Sequence, residues 1–234
     1  MPTESLKDRK ARAVKIVAGL RKLYADADCA LAHDNALQLL VATILSAQST
    51  DVTVNAVTES LFAKYKTADD FARADPAEFE DDIHRTGFFR QKTKSVLAMA
   101  RTLVDEYGGE VPDTMDDLLR LRGVARKTAN VVLGTWFGKN EGVVVDTHVG
   151  RLAHRMALTW RSKNEKDAVK IEQDLIEILP RRSWTFFSHA IIWHGRKVCP
   201  ARKPNCEGCT LAKWCPAAFS FEPRPPGAPK PTRK

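Results

Sequence analysis

The sequence predicts an all-α fold. Apolar residues recur every three or four positions through nearly every segment long enough to show a period, and helix-start signatures with an acid three residues on recur along the chain. The one β-branched run, Val143-Val144-Val145, is too short to propose a sheet. At 234 residues the chain exceeds the roughly 100–150 of a usual single-core domain, so one large or two small domains are expected.

Taken in order, residues 6–24 place Val14, Val17, Leu20 and Tyr24 at helical spacing, an amphipathic first helix. Residues 35–45 are apolar almost all round, which suits a helix at the centre of a helical domain. Ser46-Ala47-Gln48-Ser49-Thr50 is a loop, Thr50 or Ser49 caps the next helix, and Val54, Val57, Leu61 and Tyr65 form its buried stripe. Two short helices are announced by Thr67-x-x-Asp70 and by Asp75-Pro76-x-Glu78. Arg85 to Phe89 reads as a loop with two adjacent aromatics, and the helix after it carries Arg90, Lys92 and Lys94 in its first turn. Positive charge there opposes the helix dipole unless an anion offsets it; core phenylalanines beside a solvated basic turn are the ordinary alternative. Val96, Ala100 and Leu103 run to a helix stop at Gly108-Gly109, and Thr114-x-x-Asp117 caps the next helix. Asp146 is expected to cap a helix through Arg151 and Leu152, and further helices are expected over 165–179 and 183–197, the last with Trp184, Phe187 and Ile191 as its stripe. From Glu222 the chain reads EPRPPGAPKPTRK, a composition expected to be disordered, and no internal repeat is present.

An apolar fraction of 44% and a charged fraction of 28% are those of a globular protein rather than a disordered or membrane one. Thirty-seven Lys and Arg against 29 Asp and Glu leave a net charge of +8 and a pI near 9.3, which points to a polyanionic partner, nucleic acid first. The opening MPTESLKDRKARAVKIVAGLRK mixes acids with bases, and the richest apolar stretch, 36–45, is too short for a bilayer. The expectation is a cytoplasmic, nucleoid-associated protein with no membrane segment.

The segment LLRLRGVARKTANVVL over 118–133 reads as helix, tight turn, helix. Gly123 permits a turn that a Cβ would hinder, and Lys127 stands just inside the second helix. Turn amides and the positive end of that helix, pointing outward together, grip a phosphate without reading sequence. An ordinary helical hairpin with a solvated lysine fits the same residues.

Of the five cysteines, Cys29 stands alone; the others follow Cys199-x6-Cys206-x2-Cys209-x5-Cys215. Four soft ligands on one loop after a helix suit zinc or an iron–sulfur cluster, and the spacing leaves both open. Arg202 and Lys203, between the first two cysteines, could meet phosphates or be solvated.

Together these pieces resemble the endonuclease III family of DNA glycosylases, within the helix-hairpin-helix superfamily. LSAQSTD, LRGVARKTANVVLG, VDTHVGR and the four-cysteine spacing carry the resemblance from about Asn35 to Cys215. It implies two all-α lobes around a DNA cleft: a six-helix barrel domain over 31–138, and a lobe of residues 1–30 with 139–220 that carries a 4Fe-4S cluster on Cys199, Cys206, Cys209 and Cys215, followed by a basic tail over 221–234. By position Lys127 matches the family's nucleophile and Asp146 its catalytic carboxylate. Gln48 matches the residue that fills the hole left by a flipped base, and Phe88 stands where the family has an aliphatic wedge. Gly123, Ala125, Arg126, Thr147, Arg202 and Lys203 complete the implied DNA contacts.

The implied activity is a bifunctional glycosylase and abasic-site lyase of base excision repair. It would act, as a monomer, on oxidised pyrimidines in double-stranded DNA through a lysine Schiff base, with nicking by β-elimination. A damage-binding protein with little catalysis is the alternative from another class; a mismatch glycosylase is disfavoured by the amine of Lys127. Two positions depart from the family, Arg122 for a common proline and Ala125 for a second glycine. If Ala125 adopts φ > 0, its Cβ costs on the order of 1 kcal/mol or turns the hairpin from the phosphate, and DNA binding and turnover fall.

Overall fold

Side-chain oxygens set most of the helix starts in this chain. The computed structural model describes residues 4–221, so the tail expected to be disordered lies outside the described residues. Its helices are α1 (Leu6–Leu23), α2 (Ala36–Leu45), α3 (Asp51–Lys64), α4 (Ala68–Arg73), α5 (Pro76–Ile83), α6 (Phe89–Tyr107), α7 (Met115–Arg120), α8 (Arg126–Thr135), α9 (Thr147–Arg155), α10 (Ala168–Ile178) and α11 (Trp184–Lys197). Ser5, Asn35, Thr50, Thr67, Asp75, Thr114, Asp146 and Asp167 each accept a backbone N–H of the helix that follows. Each such cap stabilises its helix by about 1 kcal/mol. Among the described residues no strand forms, and the fold is all-α.

Two compact units divide the chain, one spanning Asp28–Val144 and the other joining the residues up to Ala27 to those from Val145 on. In the first, α2 is buried on nearly every side, with Leu39, Leu40, Val41, Ala42 and Leu45 fully enclosed. The expected stripe of α3 is buried at Val54, Val57, Leu61 and Tyr65, and Tyr65, Phe71 and Phe79 pack ring on ring at 5.2–6.1 Å. Val96, Met99, Ala100 and Leu103 of α6 and Ala129, Val132 and Leu133 of α8 close the same core. Each large apolar side chain enclosed there contributes roughly 1.5–3 kcal/mol.

In the second unit α1 buries Ala13, Ile16, Val17 and Leu20, while Val14 is 49% exposed. The stripe is thus rotated from the expected one: Ala13 lies near the centre of the face formed with Ile16, Val17, Leu20 and Tyr24, and Val14, turned by about 100° from Ala13, falls at its edge. Asp174, fully enclosed in α10, accepts from Thr159 Oγ1 (2.6 Å), Trp160 N (2.7 Å), Arg161 N (2.9 Å) and Arg161 Nη1 (2.6 Å). The same helix begins at Ala168 rather than at Glu165, since Asp167 is the residue whose carboxylate caps it. Leu211 and Trp214 of the cysteine-bearing segment lie against Gly19 of α1, where a Cβ would come within 2.5 Å of Leu211 Cδ2.

Candidate functional site

The hairpin expected over 118–133 forms between α7 and α8. Val124 N donates to Leu121 O (3.1 Å), and Gly123 takes φ +83° at the turn. A Cβ on Gly123 would sit 2.7 Å from Ser95 Cβ of α6, so glycine is required both by the backbone and by the close approach. Ala125 has φ −96° and ψ 168°, extended backbone open to any residue. The expected strain at Ala125 is therefore absent, and with it the reason for expecting weakened DNA binding; the single left-handed position of the turn belongs to Gly123.

Ala125 occupies the N-cap of α8 yet supplies no side-chain oxygen, and no acid stands in the first turn. Positive charge gathers there instead, on Arg126 and Lys127, both exposed. Arg126 Nη2 also donates to Glu141 O (3.3 Å), which holds the loop after α8 against its start. Such a terminus is built to accept an anion.

Gln48 and Phe88 share an uncommon backbone. Both are exposed non-glycine residues in the left-handed region, at φ +55° and +49°, and Gly87 before Phe88 is at +71°. Phe88 is 65% exposed, so it is not one of two core phenylalanines, and Phe89 is not in the loop but begins α6. Between the two loops lies Lys92. It is only 5% exposed and donates through Nζ to Leu45 O (2.7 Å) at the end of α2 and to Thr86 O (2.8 Å). Two carbonyl oxygens thus take the place of the anion that the sequence required beside this helix start.

In the second unit Asp146 caps α9, its Oδ1 accepting from His148 N and Val149 N at 2.8 Å each. It is half-buried, and Thr147 beside it is exposed. Burial lowers the His148 pKa, and its Nδ1 lies 3.1 Å from Arg151 Nη2. Arg151 Nη2 also donates to Gly195 O (2.9 Å) and Cys199 O (3.0 Å), fixing α9 to α11 and to the first cysteine of the loop.

Cys199, Cys206, Cys209 and Cys215 line one cavity with apolar walls that include Met156, Val198 and Ala218. Arg155 Nη1 lies 3.1 Å from Cys199 Sγ, and His194 Nε2 lies 3.4 Å from Cys209 Sγ. Burial holds His194 down at about 4 and therefore neutral, and its ring bridges Tyr24 Oη, 3.1 Å from Nδ1, and the sulfur beside Nε2. Burial raises the Cys209 and Cys215 thiols above the usual range and the neighbouring cysteines raise them further, so thiolates share this space only around a cationic centre. Four cysteines lining one cavity suit a metal centre held through thiolates. Arg202 and Lys203 are exposed on the loop between the first two cysteines.

Sequence pattern alone does not single out Lys92, Arg155 and His194 as residues of a site. Lys92 has a signal in the sequence, since it falls on the helical stripe of Val96, Ala100 and Leu103. Arg155 and His194 meet their sulfurs across 44 and 15 residues of chain, and nothing local marks either one.

A model of the HhH-GPD superfamily base excision DNA repair proteins matches residues 41–181. Endonuclease III of Synechocystis sp. is 51% identical over 210 residues, covering 90% of this chain and 94% of that one. The chain belongs to the endonuclease III family. Two solved endonuclease III structures, a non-covalent DNA complex and a trapped covalent intermediate with DNA, superpose with a TM-score of 0.83 at 37% identity, over 90% of this chain and 97% of each of those. Members of the endonuclease III family are base excision repair enzymes, and the family carries a 4Fe-4S cluster. No helix among the described residues is long and apolar enough to cross a membrane.

Proposed function

We propose that this member of the endonuclease III family is a bifunctional DNA glycosylase and abasic-site lyase for oxidised pyrimidines in duplex DNA. The observation that carries the reading is the start of α8, where an exposed lysine stands in the first turn of a helix that has no side-chain cap and no acid. The amides there would take a phosphate of the damaged strand and hold Lys127 beside the adjoining sugar. Its amine, in the neutral form, attacks C1′ of the flipped nucleotide; the C1′–N bond breaks and the base leaves with a proton. The C1′–O4′ bond then opens, O4′ taking up a proton and leaving an imine at C1′; the imine acidifies the C2′ proton, and loss of that proton expels the 3′ phosphate. A hydroxyl or water could not form the imine.

Asp146 is assigned to assist charge or proton transfer at the sugar. Its Oδ1 is committed to two α9 amides, which leaves Oδ2 for the work. Gln48 and Phe88 are assigned to the duplex, one filling the space of the flipped nucleotide and the other wedging the stack. Thr147, Gly123, Ala125 and Arg126 supply neighbouring contacts to the backbone.

Cys199, Cys206, Cys209 and Cys215 are assigned to a 4Fe-4S cluster. When bound, the cluster ties residues 199–215 into one shape, and Arg202 and Lys203 ride on that loop toward phosphates. Arg155 and His194 hold two of the sulfurs in position.

Borohydride reduction in the presence of abasic duplex tests the chemistry. The expected result is a covalent adduct in the parent and none in Lys127→Ala, with binding retained. Retained binding without an adduct in the parent would mean a damage-binding protein of the same fold.

A further inference from the structure

The loops of Gln48 and Phe88 are separate in sequence, yet one ammonium holds both. Lys92 Nζ donates to Leu45 O, three residues before Gln48, and to Thr86 O, two residues before Phe88. Within three residues of each of these carbonyls the backbone takes positive φ, at Gln48 in one loop and at Gly87 and Phe88 in the other. Non-glycine residues persist in that region only where the surroundings over-determine them. Each of the two carbonyls ends a helical segment, one closing α2 and the other a 3-10 turn over His84–Thr86, so each is an acceptor that its own segment leaves open.

The location of the charge is unfavourable on every other ground. Lys92 lies in the first turns of α6, whose N-terminus repels positive charge, and Phe88 at its cap position supplies no oxygen. Burial costs the ammonium its hydration and lowers the pKa of Lys92. A methionine would fill the same space without either cost. What lysine supplies and methionine cannot is a rigid link between two exposed loops.

We propose that Lys92 is a positioning residue that fixes Gln48 and Phe88 relative to each other, so that they enter the duplex as one two-pronged probe. The proposal rests on the assignment of those two side chains to the duplex. Lys92 would then govern the opening of the base stack and leave the sugar chemistry alone. That distinction gives the test. On a damaged base in a fully paired duplex the stack must be opened, whereas an abasic site in an unpaired bubble already has no stack to open.

Single-turnover cleavage by the full chain is measured on both substrates for the parent, Lys92→Met, Phe88→Ala and the double variant, with 2-aminopurine beside the lesion reporting unstacking. Lys92→Met is expected to lose about tenfold or more on the paired duplex, the factor of one charge-assisted hydrogen bond, and to cleave the bubble as the parent does. The 2-aminopurine signal falls with it, and the double variant is no slower than Phe88→Ala. Equal loss on both substrates, or no loss on the duplex, or effects of Lys92 and Phe88 that simply multiply, would overturn the proposal. If Phe88→Ala cleaves the duplex at the parent rate, it is the wedge assignment that fails. Should Lys92→Met not fold, Lys92→Arg keeps the charge without the reach; it should show the same split at smaller amplitude, and a uniform loss refutes the role.

Discussion

Ala125→Asp separates what the start of α8 does for the fold from what it does for DNA. Ala125 already has the extended backbone of an N-cap, at φ −96° and ψ 168°, but offers no acceptor to the amides of the next turn. Aspartate at that position gains a cap worth about 1 kcal/mol, with a further 0.3–1 kcal/mol from its charge at the helix dipole. For a chain of this size that raises the melting temperature by roughly 2–6 °C. The same carboxylate must be displaced before a phosphate can reach those amides, and it repels the phosphate by about 1 kcal/mol at 4 Å in water. Together these weaken binding of an abasic-site duplex by about 2 kcal/mol, or roughly thirtyfold. The assays are a thermal melt without DNA and a fluorescence-anisotropy titration at fixed salt, with Ala125→Asn isolating the charge. A variant that melts higher and binds DNA as tightly as the parent would refute the phosphate site at this terminus. Ala125→Gly, by contrast, should bind within about twofold of the parent, because no left-handed strain is relieved.

Three further outcomes follow from other parts of the molecule. Gly123→Ala, at φ +83° with its new Cβ 2.7 Å from Ser95 Cβ, should destabilise by about 2–4 kcal/mol and abolish nicking; denaturant unfolding alongside a cleavage assay checks both. Asp174→Asn removes the charge from a fully enclosed carboxylate that meets the Arg161 guanidinium at 2.6 Å, and should lower stability by about 3–5 kcal/mol in the same unfolding experiment, with a loss under 1 kcal/mol counting against it. Arg202→Ala with Lys203→Ala should flatten the slope of log K against log salt by about 0.9 for each phosphate that the loop no longer neutralises; an unchanged slope would remove that loop from the DNA interface.

What the sequence disclosed was mostly local. A cap needs an acceptor and an amide three residues apart, so Thr50, Thr67, Asp75, Thr114 and Asp146 could be read directly from the chain. Strong stripes such as Val54, Val57, Leu61 and Tyr65 were equally plain. The face of α1 is less legible, because Ala13 is small and only weakly apolar, yet it is fully enclosed. Ala125 shows a different limit: likeness to a family assigned a residue a backbone state, while the turn needed only one left-handed position and Gly123 met that need. Least legible were polar contacts made across long separations. The bond from Lys92 to Leu45 O spans 47 residues, and the contact of Arg155 with Cys199 Sγ spans 44.

The helices that lack side-chain caps share a physical explanation. Three do so, α6, α8 and α11, and α11 continues directly from a 3-10 turn over Arg181–Ser183. The other two begin at Phe88 and at Ala125, each forgoing a stabilisation of about 1 kcal/mol that eight helices of the same chain receive. At Phe88 an exposed ring and a left-handed backbone stand where a cap would be; at Ala125 a methyl group and the exposed Lys127 of the next turn do. At Ala125, whose backbone is already extended, a serine or aspartate would make a more stable free protein, and it would also occupy the groups that the proposed site keeps for DNA. The large shared core around α2 tolerates both omissions. The proposed binding surface lies where local stability is given up, and restoring it at Ala125 should strengthen the fold and weaken the function together.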